Sequence, residues 1–101
     1  MAVVTWAERA RDDLREIHDF IARDSPSAAS ALVERVIAGS ERLASFPASG
    51  RVVPELPDLG YREIIVQSYR VIYRYTQDTV RITAVVHGRR LLPEQGLQPN
   101  L

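Results

Sequence analysis

Tyr69–Arg90 reads YRVIYRYTQDTVRITAVVHGRR. Two runs rich in β-branched and aromatic residues are separated by Gln77-Asp78, a gap short enough for a hairpin. Side chains alternate faces along a strand. In the first run Tyr69, Val71, Tyr73 and Tyr75 therefore share one face, and Arg70, Ile72 and Arg74 share the other. In the second run Val80, Ile82, Ala84 and Val86 align on one face, with Arg81, Thr83, Val85 and His87 opposite. The more apolar sets are expected to meet the rest of the core. The other face is expected to carry Arg70, Arg74, Arg81 and His87 around a floor of Ile72 and Val85.

Working outward, Tyr61–Val66 is a third strand, joined to the hairpin by a turn at Gln67-Ser68. Pro47–Gly60 holds three prolines and two glycines, so it reads as a loop. Before it, apolar residues recur at helical spacing in two blocks. Ala7, Ala10, Leu14, Ile17 and Ile21 mark a helix over about Trp6–Arg23. Thr5-Trp6-Ala7-Glu8 fits a capping box at its start. Ser25-Pro26 restarts the chain, with serine as cap and proline at the first helical position. Ala29, Leu32, Val36 and Leu43 continue this second helix to about Phe46. The short link makes the pair an antiparallel hairpin. Ala2–Thr5 reads as a short strand, and Pro93 onward as a loose tail.

The expected fold is α+β: a short N-terminal strand, an antiparallel helix hairpin, then three antiparallel strands in one sheet packed on the helices. One domain over residues 1–92 accounts for the 101 residues. An apolar content of 46% suffices for one core. With no cysteine there is no disulfide framework and no thiolate metal site. No signal peptide or membrane-spanning run is apparent, so the cytoplasm is the expected compartment and no membrane partner is expected.

All thirteen basic residues are arginine, against thirteen acids. Within 61–90 six arginines face only Glu63 and Asp78, a local charge of +4. Guanidinium is permanently charged, and its planar fork suits carboxylate or phosphate. An anionic partner is one reading of this face; a solvated sheet face is the other. Glu55 is read as a loop anchor, Glu63 as half of an exposed ion pair worth about 0–1 kcal/mol. Trp6 is read as a core or hairpin-packing residue, Tyr69, Tyr73 and Tyr75 as core, and His18 as a solvated helix residue.

The order and spacing of WAERARDDLREIHDFIARDSPSAA, LASFPASGRVVPEL, REIIVQSYRVIYRY and VRITAVVHGRR resemble the RelE/ParE superfamily of bacterial type II toxins over Val4–Arg90. The resemblance implies a toxin held inactive by a cognate antitoxin, in a toxin–antitoxin hetero-oligomer. RelE-like members cut messenger RNA, usually on the ribosome, whereas ParE-like members block DNA gyrase. Under the first branch Glu55 is the base, Arg70 stabilises the phosphorane and His87 is the acid, with no metal or cofactor. The lysines and terminal tyrosine common in that branch are absent. The His87-Gly88-Arg89-Arg90 ending and Gly50-Arg51 are closer to ParE-like and plasmid-stabilisation sequences, the favoured branch. Arg62, Arg74, Arg81, Arg89 and Arg90 are the expected contacts to target or antitoxin. A third reading is a degenerate, non-toxic module kept for antitoxin binding.

Overall fold

The structure is a computed structural model that describes residues 1–90 and 92. In chain order its elements are β1 (Val3–Trp6), α1 (Glu8–Ala22), α2 (Pro26–Arg42), β2 (Arg51–Val52), β3 (Tyr61–Val66), β4 (Tyr69–Thr76) and β5 (Thr79–His87). They form one five-stranded sheet in the order β1-β5-β4-β3-β2. β3, β4 and β5 are joined by hairpins, and β1 returns to run parallel to β5. The loose tail expected from residue 93 lies outside the described residues.

The second helix starts as its sequence indicates. The Ser25 hydroxyl accepts from Ala28 N at 3.2 Å, with Pro26 at the first position. The helix stops at Arg42 rather than Phe46; residues 43–46 continue in turn hydrogen bonds back to Ser40–Arg42. The capping box does not form. Thr5 belongs to β1, in register with Arg81, and α1 begins after an uncapped Ala7 whose N–H donates to Ile82 O at 2.8 Å. Strand pairing thus takes the residues that a helix cap would have used.

The two helices pack on one sheet face. Ala7, Ala10, Leu32, Val36 and Leu43 meet Val71, Tyr73, Val80, Ile82 and Val85 in the main core. Full burial of each large aliphatic side chain contributes about 1.5–3 kcal/mol. Tyr73 is the largest fully buried side chain, as its alternation predicts. Tyr75 keeps the same parity but lies at the sheet end, exposed, so it is not core.

A smaller core lies on the opposite face. Val53, Leu56 and Leu92 cover Tyr61, Ile72, Ala84 and Val86. The presence of Ala84 and Val86 here departs from simple alternation. Ile72 pairs with Ala84 while Tyr73 pairs with Ile82, so Thr83 is an extra residue on β5. Its hydroxyl donates to Ile72 O at 3.1 Å. This bulge reverses the faces of the last four residues of β5. Val85 and His87 turn toward the helices, and Ala84 and Val86 turn away.

Candidate functional site

One open-face position from each of β2, β3 and β4, with the crossing loop, carries the charged centre of the sheet. Arg70 is almost fully buried at 3% exposure, and Glu63 at 1%. Arg70 Nε donates to Glu63 Oε1 at 2.7 Å. Its Nη1 and Nη2 donate to the two Glu55 carboxylate oxygens at 2.7 and 2.6 Å. Nη1 also reaches Arg90 O at 3.0 Å. Glu63 Oε2 accepts from Arg51 Nε at 2.6 Å, because Arg51 of β2 stands directly opposite Glu63. Two guanidinium groups and two carboxylates therefore neutralise one another.

The electrostatics follow from these contacts. Hydrogen bonding to Arg70 lowers the Glu55 pKa to about 2. The same bonds, with those to Glu63, raise that of Arg70 despite its burial. Glu63 is not the exposed partner expected of it; its side chain is fully buried. A buried carboxylate is tolerated only with its charge and lone pairs met, and Arg51 and Arg70 do both. Glu55 is the loop anchor expected, and its Oε2 also accepts Leu92 N at 3.3 Å.

The structure brings Glu55 and Arg70 together but does not bring His87 to them. His87 is in register with Tyr69, and their rings meet edge to face with centroids 5.7 Å apart. Tyr69 packs on the helix-side core, so His87 lies on the face opposite Arg70. The bulge at Thr83 is the physical cause. His87 Nδ1 accepts the Arg89 backbone N–H at 3.2 Å. In the neutral ring Nε2 is then the protonated nitrogen. The expected floor of Ile72 and Val85 is replaced by Ile72, Ala84 and Val86, beneath Leu56 and Leu92.

The remaining arginines divide. Arg62 shares a face with Tyr73, on the helix side, and donates to Gly50 O at 2.8 Å. Arg74 and Arg81 stand opposite one another on the open face. Arg74 stacks over the Tyr61 ring at 4.9 Å. Arg89 and Arg90 are exposed beyond β5.

Sequence reasoning missed two supports of this site. Asp13 of α1 accepts the Val85 N–H at 3.0 Å, a group taken out of the ladder by the bulge. Burial raises the Asp13 pKa, although that bond opposes the shift. The Tyr73 hydroxyl donates to Pro47 O at 2.8 Å and accepts from Gly50 N at 2.9 Å, clasping the crossing loop. A tyrosine on a helix-facing strand position was a visible signal, since a buried hydroxyl needs partners. Asp13 gave none, because its partner is 72 residues away. His18, whose Nδ1 lies 3.0 Å from Asp19 Oδ1, lines a groove between the helices with Trp6, Leu14, Val33 and Ile37. Among the described residues no helix is long and apolar enough to cross a membrane.

Comparisons with known proteins converge on one group. A family model for the ParE toxin of type II toxin–antitoxin (parDE) systems matches residues 4–92. The chain is 37% identical over 92 residues to Toxin RelE2 of Caulobacter vibrioides, covering 90% of this chain and all of that protein. It is 33% identical over 93 residues to Putative toxin Y4kP of Sinorhizobium fredii, covering 90% and 93%. The fold is similar to that in the chromosomal ParDE system from P. aeruginosa, with a TM-score of 0.72, 18% identity and coverage of 86% and 96%. It is also similar to a chain of the RelBE2 toxin–antitoxin complex from Mycobacterium tuberculosis, with a TM-score of 0.59, 25% identity and coverage of 85% and 96%.

Proposed function

The chain belongs to the ParE toxin family of type II toxin–antitoxin systems, and from that premise we propose that it arrests growth by inhibiting DNA gyrase and is neutralised by a cognate antitoxin. The observation that carries the choice of target is the state of Arg70. All three of its nitrogens are engaged by Glu63, Glu55 and a main-chain carbonyl. An arginine that stabilises a pentavalent phosphate needs donors aimed at the phosphate position. A general base needs a carboxylate free to take a proton, whereas Glu55 is held by Arg70 with its pKa lowered to about 2. His87, the third member, faces α1. The set required for metal-free RNA cleavage is thus divided between two sheet faces, with two members bonded to each other. Inhibition of gyrase by binding needs no such set.

The test measures both activities. Supercoiling by purified gyrase is expected to fall as the toxin is added, while primer extension on messenger RNA from induced cells shows no new cuts. Unchanged supercoiling together with new cuts that vanish in Arg70→Ala would assign the chain to the ribonuclease branch instead. Unimpaired growth on expression without antitoxin would favour the non-toxic module. The antitoxin is expected from the adjacent reading frame, and co-purification of its product with this chain tests that partner.

A further inference from the structure

We propose that Arg74 and Arg81 form an oxyanion-binding site on the open sheet face, and that its ligand is a carboxylate side chain of an acidic protein segment. The inference starts from a contrast within the molecule. Arg51 and Arg70 are neutralised by Glu63 and Glu55, and Arg62 is held by the Gly50 carbonyl. Arg74 and Arg81 have no carboxylate partner among the described residues, yet they are directly paired across β4 and β5. Directly opposed cross-strand side chains have Cβ atoms about 5 Å apart, and like charges there repel. The sheet thus neutralises Arg51 and Arg70 and leaves Arg74 and Arg81 without a countercharge among the described residues.

A second observation points the same way. Arg74 Nε is buried and has no hydrogen-bond partner among the described residues. Buried polar groups are nearly always satisfied, so an orphaned guanidinium nitrogen marks a missing acceptor. The guanidinium is held at the Tyr61 ring, beside Gly60, where a Cβ would come 3.6 Å from its Nη2. Across the sheet the row is completed by Thr5, in register with the exposed Arg81. Tyr61, Arg74, Arg81 and Thr5 thus form a shelf with two forks and a hydroxyl at one end of the open face. A carboxylate docked on this shelf would supply the missing countercharge and bidentate acceptors for a guanidinium fork.

The balance of charge selects the carboxylate over a nucleic-acid phosphate. A nucleic-acid surface needs a net basic chain or a long basic stripe. This chain carries thirteen acids against thirteen arginines, and the middle of the open face is neutral or apolar. The site is short and suits one or two acidic side chains. The proposal deepens the functional reading only in taking the occupant to be a protein partner; its test does not pass through gyrase.

The test is a titration of the full chain followed by arginine Nε–H resonances in 1H–15N spectra. The probe is a capped peptide of alternating Glu and Val. Arg74 and Arg81 are expected to shift saturably, with no shift from the matching Gln–Val peptide. Loss of one fork, in Arg74→Gln or in the exposed Arg81→Gln, is expected to weaken binding about tenfold. Circular dichroism checks that each variant is folded, and Arg81→Gln keeps the test available if Arg74→Gln does not fold. No shift with the Glu–Val peptide, or shifts unchanged in a folded Arg81→Gln variant, would overturn the proposal. So would saturable shifts of the same two arginines with a ten-nucleotide oligoribonucleotide and none with the peptide.

Discussion

Glu63 stands between Arg51 and Arg70, its two carboxylate oxygens 2.6 Å from Arg51 Nε and 2.7 Å from Arg70 Nε, with none of its side chain exposed. The three residues come from three adjacent strands, and the pairing register alone aligns Arg51 with Glu63. Arg70 ties this group to Glu55 in the crossing loop and to the main chain after β5.

Arg70→Ala should therefore act first on stability. Removing one partner of a buried ion pair leaves an uncompensated charge and typically costs about 3–5 kcal/mol. A clear fall in the urea midpoint is expected. An unchanged midpoint would mean that Glu63 finds another partner. Any loss of function in this variant needs comparison at equal folded fraction.

The Glu55 contact predicts an acid transition. Its folded pKa is lowered from 4.5 to about 2, so its contribution to stability is full above pH 4.5. That contribution is lost as pH falls from 4.5 toward 2. Thermal unfolding across this window should show a falling Tm in the native chain and a flatter profile in Glu55→Gln. Parallel profiles would remove Glu55 from the acid response.

At Gly50 a Cβ would lie 2.6 Å from the Tyr73 hydroxyl and 2.7 Å from Glu63 O. Neither the strand backbone nor the clasping tyrosine can retreat without losing a hydrogen bond. Gly50→Ala is expected to destabilise by about 1–3 kcal/mol. Tyr73→Phe, which leaves Gly50 N without its acceptor, should cost a similar amount. Chemical denaturation of both variants measures this. A double variant less destabilised than the sum of the two would show that they share one cause.

The bulge can be probed from α1. Asp13→Ala leaves the Val85 N–H without its acceptor, at a cost of about 1–3 kcal/mol. Hydrogen exchange at Val85 should accelerate in this variant, while exchange at Val80, upstream of the bulge, changes only as far as global stability does. Equal protection at Val85 in both proteins would show that the Asp13 carboxylate does not shield this N–H from exchange.

Much of the fold was legible because local rules govern its elements. Ser25-Pro26 starts a helix through one side-chain hydrogen bond and one fixed φ. The turns at Gln67 and Gln77-Asp78 take positive φ without glycine, as tight hairpins require, and their lengths set the pairing of β3 with β4 and β4 with β5. β2 escaped notice, since two residues between prolines carry no periodic signal.

Alternation along β4 placed Tyr73 in the core and Arg70 and Arg74 on the other face, and the sequence alone was enough for this. His87 required the tertiary structure. Alternation counts residues along one strand, but a strand's faces are set by its pairing. One unpaired residue, Thr83, turns every later side chain of β5 over. The acceptor for the N–H displaced there is Asp13, far away in the chain. The same holds for charge. The sequence determines that six arginines lie within 61–90. Only the assembled sheet decides that Arg70 spends its charge on Glu55 and Glu63, while Arg74 and Arg81 face each other without a carboxylate between them among the described residues. Neutralisation depends on distances of about 3 Å between side chains, and those distances exist only after the strands have paired.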